Sequence, residues 1–283
     1  MANESENDVL AAWETSSQYW NKHQALIEQM FAPLSRKLIE AAGICSGQTV
    51  LDIGGGSGEP SLTIAPVVGA SGSVTYTDPA IGMVSSAREA ARRRGVSNIV
   101  FHQCPAEQLP FAGDVFDVAV GRLSVMFFPE IAAGLSEVLR VVKPGGCVSL
   151  LVWGRREVNP FFTAVATVLD RFVPAEPEDD DAPGAFRFAA PGKLAQALQA
   201  AGAEEVTEHE VAFAIEAPIS VERFWELRTE MSDAFRKKLG RLVPDQVAAI
   251  KYTVQKAVAP YFKGGTMSFP AQVLVVTGRK PGN

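Results

Sequence analysis

Residues 50–58, with the sequence VLDIGGGSG, join a short strand pattern to a turn made almost entirely of glycine. Glycine lets the backbone approach a ligand closely, and a helix that begins after such a turn favours an anionic group at its N-terminus. The dinucleotide fingerprint G-x-G-x-x-G does not fit, because a frame that starts at Gly54 puts Glu59 at the third glycine. A frame that starts at Gly56 puts Ser61 there. The loop therefore favours a ligand without a pyrophosphate, and a plain tight connection is the other interpretation.

Around this loop, short β-branched runs alternate with helical patterns from residue 49 to residue 153, which is typical of βαβ units and a parallel sheet. The run 115–120 is almost wholly apolar and is therefore expected at the centre of the sheet. Further on, 174–184 concentrates proline and acidic residues and predicts a surface loop. The predicted strands are 49–53, 73–77, 98–102, 115–120, 147–153, 206–215 and 266–280; the predicted helices are 59–68, 79–94, 129–142, 191–201 and two or three within 219–260, with a turn at 143–146.

The composition excludes several classes of protein. Lys and Arg number 26 against 32 Asp and Glu, a net charge of −6, which disfavours binding to nucleic acid or anionic lipid. Hydrophobic residues make up 47% of the chain and charged residues 20%, as in folded globular proteins. Cys45, Cys104 and Cys147 lie apart with no CxxC pair, which argues against a disulfide framework or a metal site. The polar N-terminus is unlike a signal peptide, and we expect a cytoplasmic protein without membrane insertion.

Asp78 is the second feature that points to a ligand. It follows the second predicted strand, twenty positions after Gly58, where a carboxylate can accept both hydroxyls of a ribose. Asp before Pro also makes an ordinary helix N-cap, so position alone leaves both interpretations open. A glycine turn, an acid at the end of the second strand and no phosphate-binding pattern together fit a nucleoside that carries an amino acid tail.

Five motifs in order, VLDIGGGSGEPSL, TDPAIGMV, AEQLPF, FDVAV and VLRVVKPGG, resemble the motif series of class I S-adenosylmethionine-dependent methyltransferases, in particular the methyltransferase type 11 or UbiE-like small-molecule branch. The resemblance covers roughly residues 45–155. It implies an α/β, Rossmann-like fold whose seven-stranded sheet is mostly parallel, with helices on both faces, an antiparallel last strand and a helical cap insertion before it. The implied parts are an N-terminal helical lid at 1–45, a cofactor-binding domain at 46–218 and 266–283, and the cap at 219–265.

The resemblance also implies which residues bind S-adenosylmethionine. Asp52 and the glycine loop would hold the methionine part, Asp78 the ribose, and Met83 would pack on the adenine. The family often has an acid before its Ala-Glu pair to accept from the adenine amino group, but this chain has Pro105, so Gln103 or a backbone carbonyl must substitute. The implied cofactor residues are Asp52, Gly54, Gly55, Gly56, Gly58, Asp78, Pro79, Met83, Ala106, Glu107, Gly121 and Arg122, with no metal.

Methyl transfer from a sulfonium is an in-line displacement, and aligning the reactants contributes ~7–11 kcal/mol without an elaborate catalytic constellation. The aromatic residues Tyr19, Trp20, Phe127 and Phe128 are predicted to bind the acceptor, which favours a small, flat or apolar metabolite. The sequence leaves open whether carbon, nitrogen or oxygen is methylated and how many copies of the chain assemble.

His23 is the candidate general base, because it is the one histidine in the segment expected to close over the site and an imidazole titrates near about pH 6.5. Two other functions stay open. A cofactor-binding scaffold would bind S-adenosylmethionine without turnover. An NAD(P)-dependent oxidoreductase would need the glycine pattern that this loop lacks.

Overall fold

The computed structural model describes residues 4–173 and 179–282. The strands are β1 (Thr49–Ile53), β2 (Ser73–Asp78), β3 (Ile99–Gln103), β4 (Phe116–Arg122), β5 (Val142–Trp153), β6 (Glu204–Ala217), β7 (Phe262–Lys263) and β8 (Thr266–Arg279). The helices are α1 (Glu4–Lys22), α2 (Gln24–Ala42), α3 (Ser61–Val68), α4 (Ile81–Arg94), α5 (Ile131–Val141), α6 (Pro160–Leu169), α7 (Lys193–Ala200), α8 (Val221–Met231), α9 (Asp233–Leu239) and α10 (Pro244–Val258).

The strands form one mixed sheet in the order β3-β2-β1-β4-β5-β8-β6, and the two-residue β7 pairs with β8. The first five strands are parallel, while β8 runs antiparallel between β5 and β6. The predicted fold class is confirmed, and β7 is an eighth strand that the sequence did not predict. The central position expected for 115–120 is correct, since β4 lies between β1 and β5.

One predicted turn is wrong. Residues 143–146 lie within β5, which begins at Val142, and not in a separate turn. The register against β4 shifts between Phe116 and Val118, so the extra residues of β5 are accommodated as an irregularity in the ladder. Of the acidic surface loop predicted at 174–184, residues 174–178 lie outside the described residues, and 179–182 are exposed.

The N-terminal helices take two different places. The α2 helix packs against β4, β5, β6 and β8 and buries Ile27, Met30, Leu34 and Leu38, so it belongs to the core. The α1 helix instead contacts α4, α8 and α9 at the periphery. The lid predicted for 1–45 is therefore limited to α1, and the lid role itself stays a prediction.

The insertion between β6 and β8 contains α8, α9 and α10, in agreement with two or three predicted helices. It packs on α1 and α6. Within the described ranges, no helix is long and apolar enough to span a membrane.

Candidate functional site

A cavity of about 790 Å³ opens where β1, β2 and β4 end, beneath α1 and the start of α2. Its size lies within the ~300–1,000 Å³ range of small-molecule sites. Ligands of open α/β sheets bind at this carboxyl edge of the strands. The lining residues are Val9, Leu10, Trp13, Trp20, Phe31, Ile53, Gly54, Gly55, Gly56, Ser57, Glu59, Thr77, Asp78, Pro79, Met83, Gln103, Cys104, Pro105, Ala106, Glu107, Gln108, Arg122, Leu123, Ser124, Phe127, Phe128 and Pro129.

The glycine loop needs glycine for two separate reasons. Gly54 and Gly56 have φ values of 66° and 54°, in the left-handed region. A Cβ on Gly55 would lie 2.5 Å from the buried Tyr76 ring, whereas a Cβ on Gly56 would meet nothing within 4 Å. Tyr76 also holds the loop from behind, since its hydroxyl donates to the Gly56 carbonyl at 2.5 Å. The loop is thus a rigid wall with open space at Gly56.

The N–H groups of this loop are already satisfied by β2. Both Gly54 and Gly55 donate to the Thr77 carbonyl, at 2.9 and 3.0 Å, and Gly56 donates to Asp78 at 3.0 Å. The N–H groups of Gly54 and Gly55 are therefore not available to a ligand, and the predicted contact of the loop with the methionine part would have to be made in another way. Gly54 and Gly55 line the cavity without side chains, so a ligand can lie directly against their backbone.

Asp78 ends β2 and lines the cavity. Its Oδ2 accepts from Gly56 and its Oδ1 from the Ala80 N–H at 2.9 Å, so each oxygen keeps a free lone pair. Burial raises the pKa of Asp78 to about 6. The N-cap interpretation does not apply, because α4 begins only at Ile81 and its first N–H groups are bound by Glu14 of α1, at 2.6 Å from Ile81 and 3.2 Å from Gly82.

Asp52 lies behind the loop and does not line the cavity. Its predicted contact with the methionine part stays a prediction that this position does not support. The side chain is fully buried, and its Oδ2 accepts from the N–H and hydroxyl of Ser61 at 3.1 and 2.6 Å. Burial raises the pKa of Asp52 to about 7. This carboxyl fixes the start of α3 against β1.

Gly58 and Gly121 are also absent from the cavity wall, contrary to prediction. A Cβ on Gly58 would lie 2.8 Å from Leu62, and a Cβ on Gly121 would lie 3.0 Å from both Leu150 and Ser124. Gly58 also has a φ of 118°, which residues with a side chain rarely adopt, whereas at Gly121 a Cβ would require only small shifts of the neighbouring side chains.

Arg122 does line the cavity. It extends from β4 toward α2, where its Nη1 donates to the Phe31 carbonyl at 3.2 Å and to the Ser35 hydroxyl at 2.9 Å. Its Nε is buried and has no hydrogen-bond partner among the described residues. Burial lowers the pKa of this guanidinium, which nevertheless keeps a positive charge beside the cavity acid Glu59.

Pro79, Met83, Ala106 and Glu107, which are predicted to lie near the adenine, all line the cavity. Gln103 lines it too, and its amide nitrogen donates to the Pro79 carbonyl at 3.1 Å, which leaves the amide oxygen as an acceptor. Burial raises the pKa of the nearby Cys104 thiol to about 11, so this thiol is protonated at neutral pH and is a poor nucleophile.

Aromatic rings form the wall beneath α1. Trp20, Phe127 and Phe128 line the cavity, and so does Trp13, whose ring packs 5.0 Å from Phe127 and 5.7 Å from Trp20. The Nε1 of Trp20 is buried without a hydrogen-bond partner in the described chain. Tyr19 does not line the cavity, and the prediction that it binds the acceptor is wrong, because its ring lies under the guanidinium of Arg236 at 4.6 Å.

His23 is also absent from the cavity wall, and its role as the general base stays a prediction that its contacts do not support. Its buried ring is held between two residues of α8: Nε2 lies 2.6 Å from the Glu230 carboxylate and Nδ1 lies 3.2 Å from Arg223. Burial lowers its pKa. The same Glu230 binds Lys22 at 2.6 Å, and Arg236 donates to Ser16 at 2.9 Å. We call the contacts of Glu230 with Lys22 and His23 the α1–α8 clasp.

Sequence reasoning missed Glu14 and Glu59, and it placed Trp13 in the closing N-terminal segment without naming it as an acceptor-binding residue. Trp13 and Trp20 are seven positions apart and therefore on one face of α1, a spacing that could have indicated both. A lone glutamate on a polar helix carries no signal that it caps a distant helix. The carboxylate of Glu59 lines the cavity and accepts hydrogen bonds from Thr63 at 2.6 Å and from Arg94 at 3.0 Å. Its negative charge is therefore paired with the positive charge of Arg94.

The fold and the site define a class, that of Rossmann-like class I methyltransferases, in which a nucleoside site at the strand ends adjoins an acceptor cavity. The chain belongs to the ubiE/COQ5 methyltransferase family, which it matches over residues 6–176. Membership of this family assigns S-adenosylmethionine to the chain as its cofactor.

Individual relatives share this similarity to different extents. The chain is 28% identical to nocamycin O-methyltransferase of Saccharothrix syringae over 265 residues, 89% of this chain and 92% of that protein. It is 34% identical to the ubiquinone/menaquinone biosynthesis C-methyltransferase UbiE of Cellvibrio japonicus over 140 residues, 49% of this chain and 56% of that protein. The chain spans about half the length of the first curated relatives that it matches, for example 53% of an uncharacterized protein of Mycobacterium bovis. Its fold is similar to that of the [4+2]-cyclase SpnF, with a TM-score of 0.56, 19% identity and coverage of 96% of this chain and 97% of SpnF.

The cavity fits this cofactor. The free lone pairs of Asp78 suit a ribose diol, the side chain of Met83 suits the face of an adenine, and the unpartnered Nε of the partly buried Arg122 suits the carboxylate of an amino acid tail. The space in front of Gly56 leaves room for close approach. No cluster of three or more metal-ligating side chains occurs in the part of the chain that the structure describes.

Proposed function

We propose that the protein transfers a methyl group from S-adenosylmethionine to a small, flat aromatic or apolar metabolite. The observation that carries the proposal is the composition of the cavity at the strand ends. One part of its wall has the glycine loop, Asp78 and Arg122, and another has the rings of Trp13, Trp20 and Phe127. A site that must hold a nucleoside with an amino acid tail next to a flat acceptor needs both parts.

The bound cofactor supplies a methyl group on a positively charged sulfur, which is already a strong electrophile. The residues of this chain therefore act by holding and aligning. Asp78 accepts the ribose hydroxyls, Arg122 faces the amino acid end, and the Gln103 amide oxygen accepts from the adenine amino group that Pro105 cannot bind. Alignment of this kind contributes ~7–11 kcal/mol to lowering a reaction barrier.

The aromatic wall positions the acceptor and excludes water. Trp13 and Phe127 meet edge to face, so α1 and the segment after β4 close on one another over the cavity. Closure prevents hydrolysis of the cofactor and fixes the acceptor atom in line with the transferred methyl group. Because His23 does not reach the cavity, we propose that alignment, without a histidine base, accounts for the rate.

The relatives support this reaction class. One is an O-methyltransferase that acts on nocamycin and another a C-methyltransferase of ubiquinone and menaquinone biosynthesis, as their names state. The negative net charge of this chain supports a metabolite rather than nucleic acid as the acceptor. The fold alone does not decide between turnover and silent binding, since a [4+2]-cyclase shares it.

The test combines binding and turnover. Calorimetry with S-adenosylhomocysteine should give binding that is unchanged by a chelator, and NADH should give none. A library of aromatic and apolar metabolites is then incubated with the protein and methyl-labelled S-adenosylmethionine. Label in a product supports the proposal. Binding of the cofactor with no labelled product across the library favours the scaffold interpretation, and binding of NADH in its place contradicts the assignment of the cavity.

A further inference from the structure

Arg228 of α8 is a buried cation without an anion. Its side chain is 5% exposed, its Nε is fully buried, and it makes no hydrogen bond or ion pair within 4–173 and 179–282. The acids nearest to it in α8 are engaged elsewhere, since Glu226 pairs with Arg223 at 2.7 Å and Glu230 belongs to the clasp. Arg228 therefore differs from Arg122, the partly buried arginine of the cavity wall, which has two acceptors from α2.

Aromatic rings surround the guanidinium instead. Its carbon lies 4.7 Å from the Phe161 ring, 4.8 Å from the Phe162 ring and 5.7 Å from the Phe235 ring. Such contacts compensate part of the lost hydration of a cation, but not its unmade hydrogen bonds. Burial lowers the pKa of Arg228 to about 10, so the charge persists at neutral pH. Burying such a charge unpaired is costly, and a ligand that supplies the anion would remove the cost.

A row of packed rings lies between Arg228 and the cavity, and Arg228, Phe162 and Trp153 are not themselves part of the cavity wall. The Phe162 ring meets Trp153 at 4.5 Å, and Trp153 meets Phe31 at 5.7 Å. Phe31 lines the cavity wall. In addition, α8 packs on α1, whose Trp20 presents another buried N–H without an acceptor. Trp20 and Arg228 thus each present a donor without an acceptor, one on the cavity wall and the other beyond the row of rings.

We infer that Arg228 binds an anionic oxygen group at the far end of the methyl acceptor, so that the acceptor is an aromatic anion whose rings lie along Phe162 and Trp153. This inference deepens the proposed function and rests on it. The Trp20 indole N–H donates to a second oxygen of the same acceptor. Arg228 is a specificity residue, because it selects the charged acceptor and takes no part in aligning the methyl group.

The test uses two probes that differ only in charge, 8-anilinonaphthalene-1-sulfonate and the neutral N-phenyl-1-naphthylamine. Each is titrated by fluorescence into full-length protein saturated with S-adenosylhomocysteine. Arg228→Met keeps an unbranched side chain without charge and should weaken sulfonate binding at least about tenfold, while the neutral probe changes less than about twofold. Arg228→Lys should lose less than Arg228→Met. Arg241→Met, an exposed arginine of the same insertion, is the control for net charge and should change neither probe. Equal weakening of both probes, or of neither, overturns the inference.

Thermal unfolding of the ligand-free variants separates binding from a structural role. Removal of an unpaired buried charge should raise the melting temperature of Arg228→Met by a few degrees, because binding residues are often kept at a cost in stability. A lower melting temperature in both Arg228→Met and Arg228→Lys shows a structural role and overturns the inference. Calorimetry with S-adenosylhomocysteine keeps the two proposals apart. If the wild type does not bind it, the proposed function fails; if all variants bind it equally but do not discriminate the probes, only the inference fails.

Discussion

The cofactor part and the acceptor part of the cavity are built in different ways. The cofactor part is a set of strand ends and the loops that follow them, and its shape is fixed by backbone contacts such as those from Gly54 and Gly55 to Thr77. The acceptor part depends on side chains that meet from opposite ends of the chain, such as His23 and Glu230, 207 positions apart. Local sequence patterns therefore specify the first part, while only the completed fold assembles the second.

If the backbone shape of the glycine loop controls the cofactor part, Gly55→Ala should have the largest effect. Its Cβ would lie 2.5 Å from Tyr76 and 2.7 Å from Asp52, two fully buried residues that cannot move aside. We expect a loss of ~3 kcal/mol or more in the free energy of unfolding, measured by denaturant titration. The matched variant Gly56→Ala meets no atom and should cost only about 1–2 kcal/mol for its positive φ. Equal costs for the two variants would show that strain, and not packing, defines the loop.

The next effect is on cofactor affinity. Asp78→Ala removes two acceptors for the ribose and leaves the Gly56 N–H without its partner, so S-adenosylhomocysteine should bind about 2–3 kcal/mol more weakly in calorimetry. Asp245→Ala, which removes an exposed carboxylate of α10, is the control and should bind like the wild type. If Asp78→Ala bound S-adenosylhomocysteine with wild-type affinity, Asp78 would not be the residue that binds the ribose.

Affinity should also depend on pH. The folded pKa of Asp78, about 6, lies above its ordinary value of 3.8, and only the carboxylate accepts both hydroxyls. Affinity for S-adenosylhomocysteine should therefore fall as pH drops below about 6, by up to about tenfold per pH unit. The sign for stability is opposite, because a raised carboxyl pKa makes the ligand-free fold lose stability as pH rises from about 4 to about 6. In an Asp78→Asn variant, neither the affinity nor the stability should depend on pH through this residue. If the affinity still falls below about pH 6, another residue is responsible for the titration.

The smallest effect concerns the acceptor part. Glu230→Gln removes the negative charge of the α1–α8 clasp, whose carboxylate is partly exposed, and should weaken it by about 1 kcal/mol. Amide hydrogen exchange should become about fivefold faster in α1 and remain unchanged in α5. Glu226→Gln, which disrupts an ion pair with Arg223 inside α8, is the matched control. Similar exchange in the two variants would mean that the clasp does not hold α1 in place.

The sequence predicted much of the cofactor part because parallel strands bring their carboxyl ends to one edge. Once β1, β2 and β4 are placed, Asp78, Arg122 and Phe127 must lie near one another, whatever the details of packing. The motif could not show which strand residues face the ligand. Successive residues alternate across a strand, and Asp52 contributes to the support behind the loop.

The acceptor part was harder to predict because helix rotation is set by distant contacts. Tyr19, Trp20 and His23 lie within about one turn of α1, yet only Trp20 lines the cavity. The other two residues face α8 and α9, whose positions no local pattern gives. Arg228 was overlooked for a related reason, since an arginine on an amphipathic helix normally indicates a solvated face.

The contact between Glu14 and α4 has a thermodynamic consequence. The carboxylate of Glu14 caps the turn of α4 that leads into Met83, so a displacement of α1 would leave two N–H groups without their acceptor. If α1 moves when an acceptor enters, as predicted for a lid, acceptor entry and the stability of this turn of α4 are coupled. By reciprocity, whatever factor the cofactor then adds to acceptor affinity, the acceptor adds to cofactor affinity.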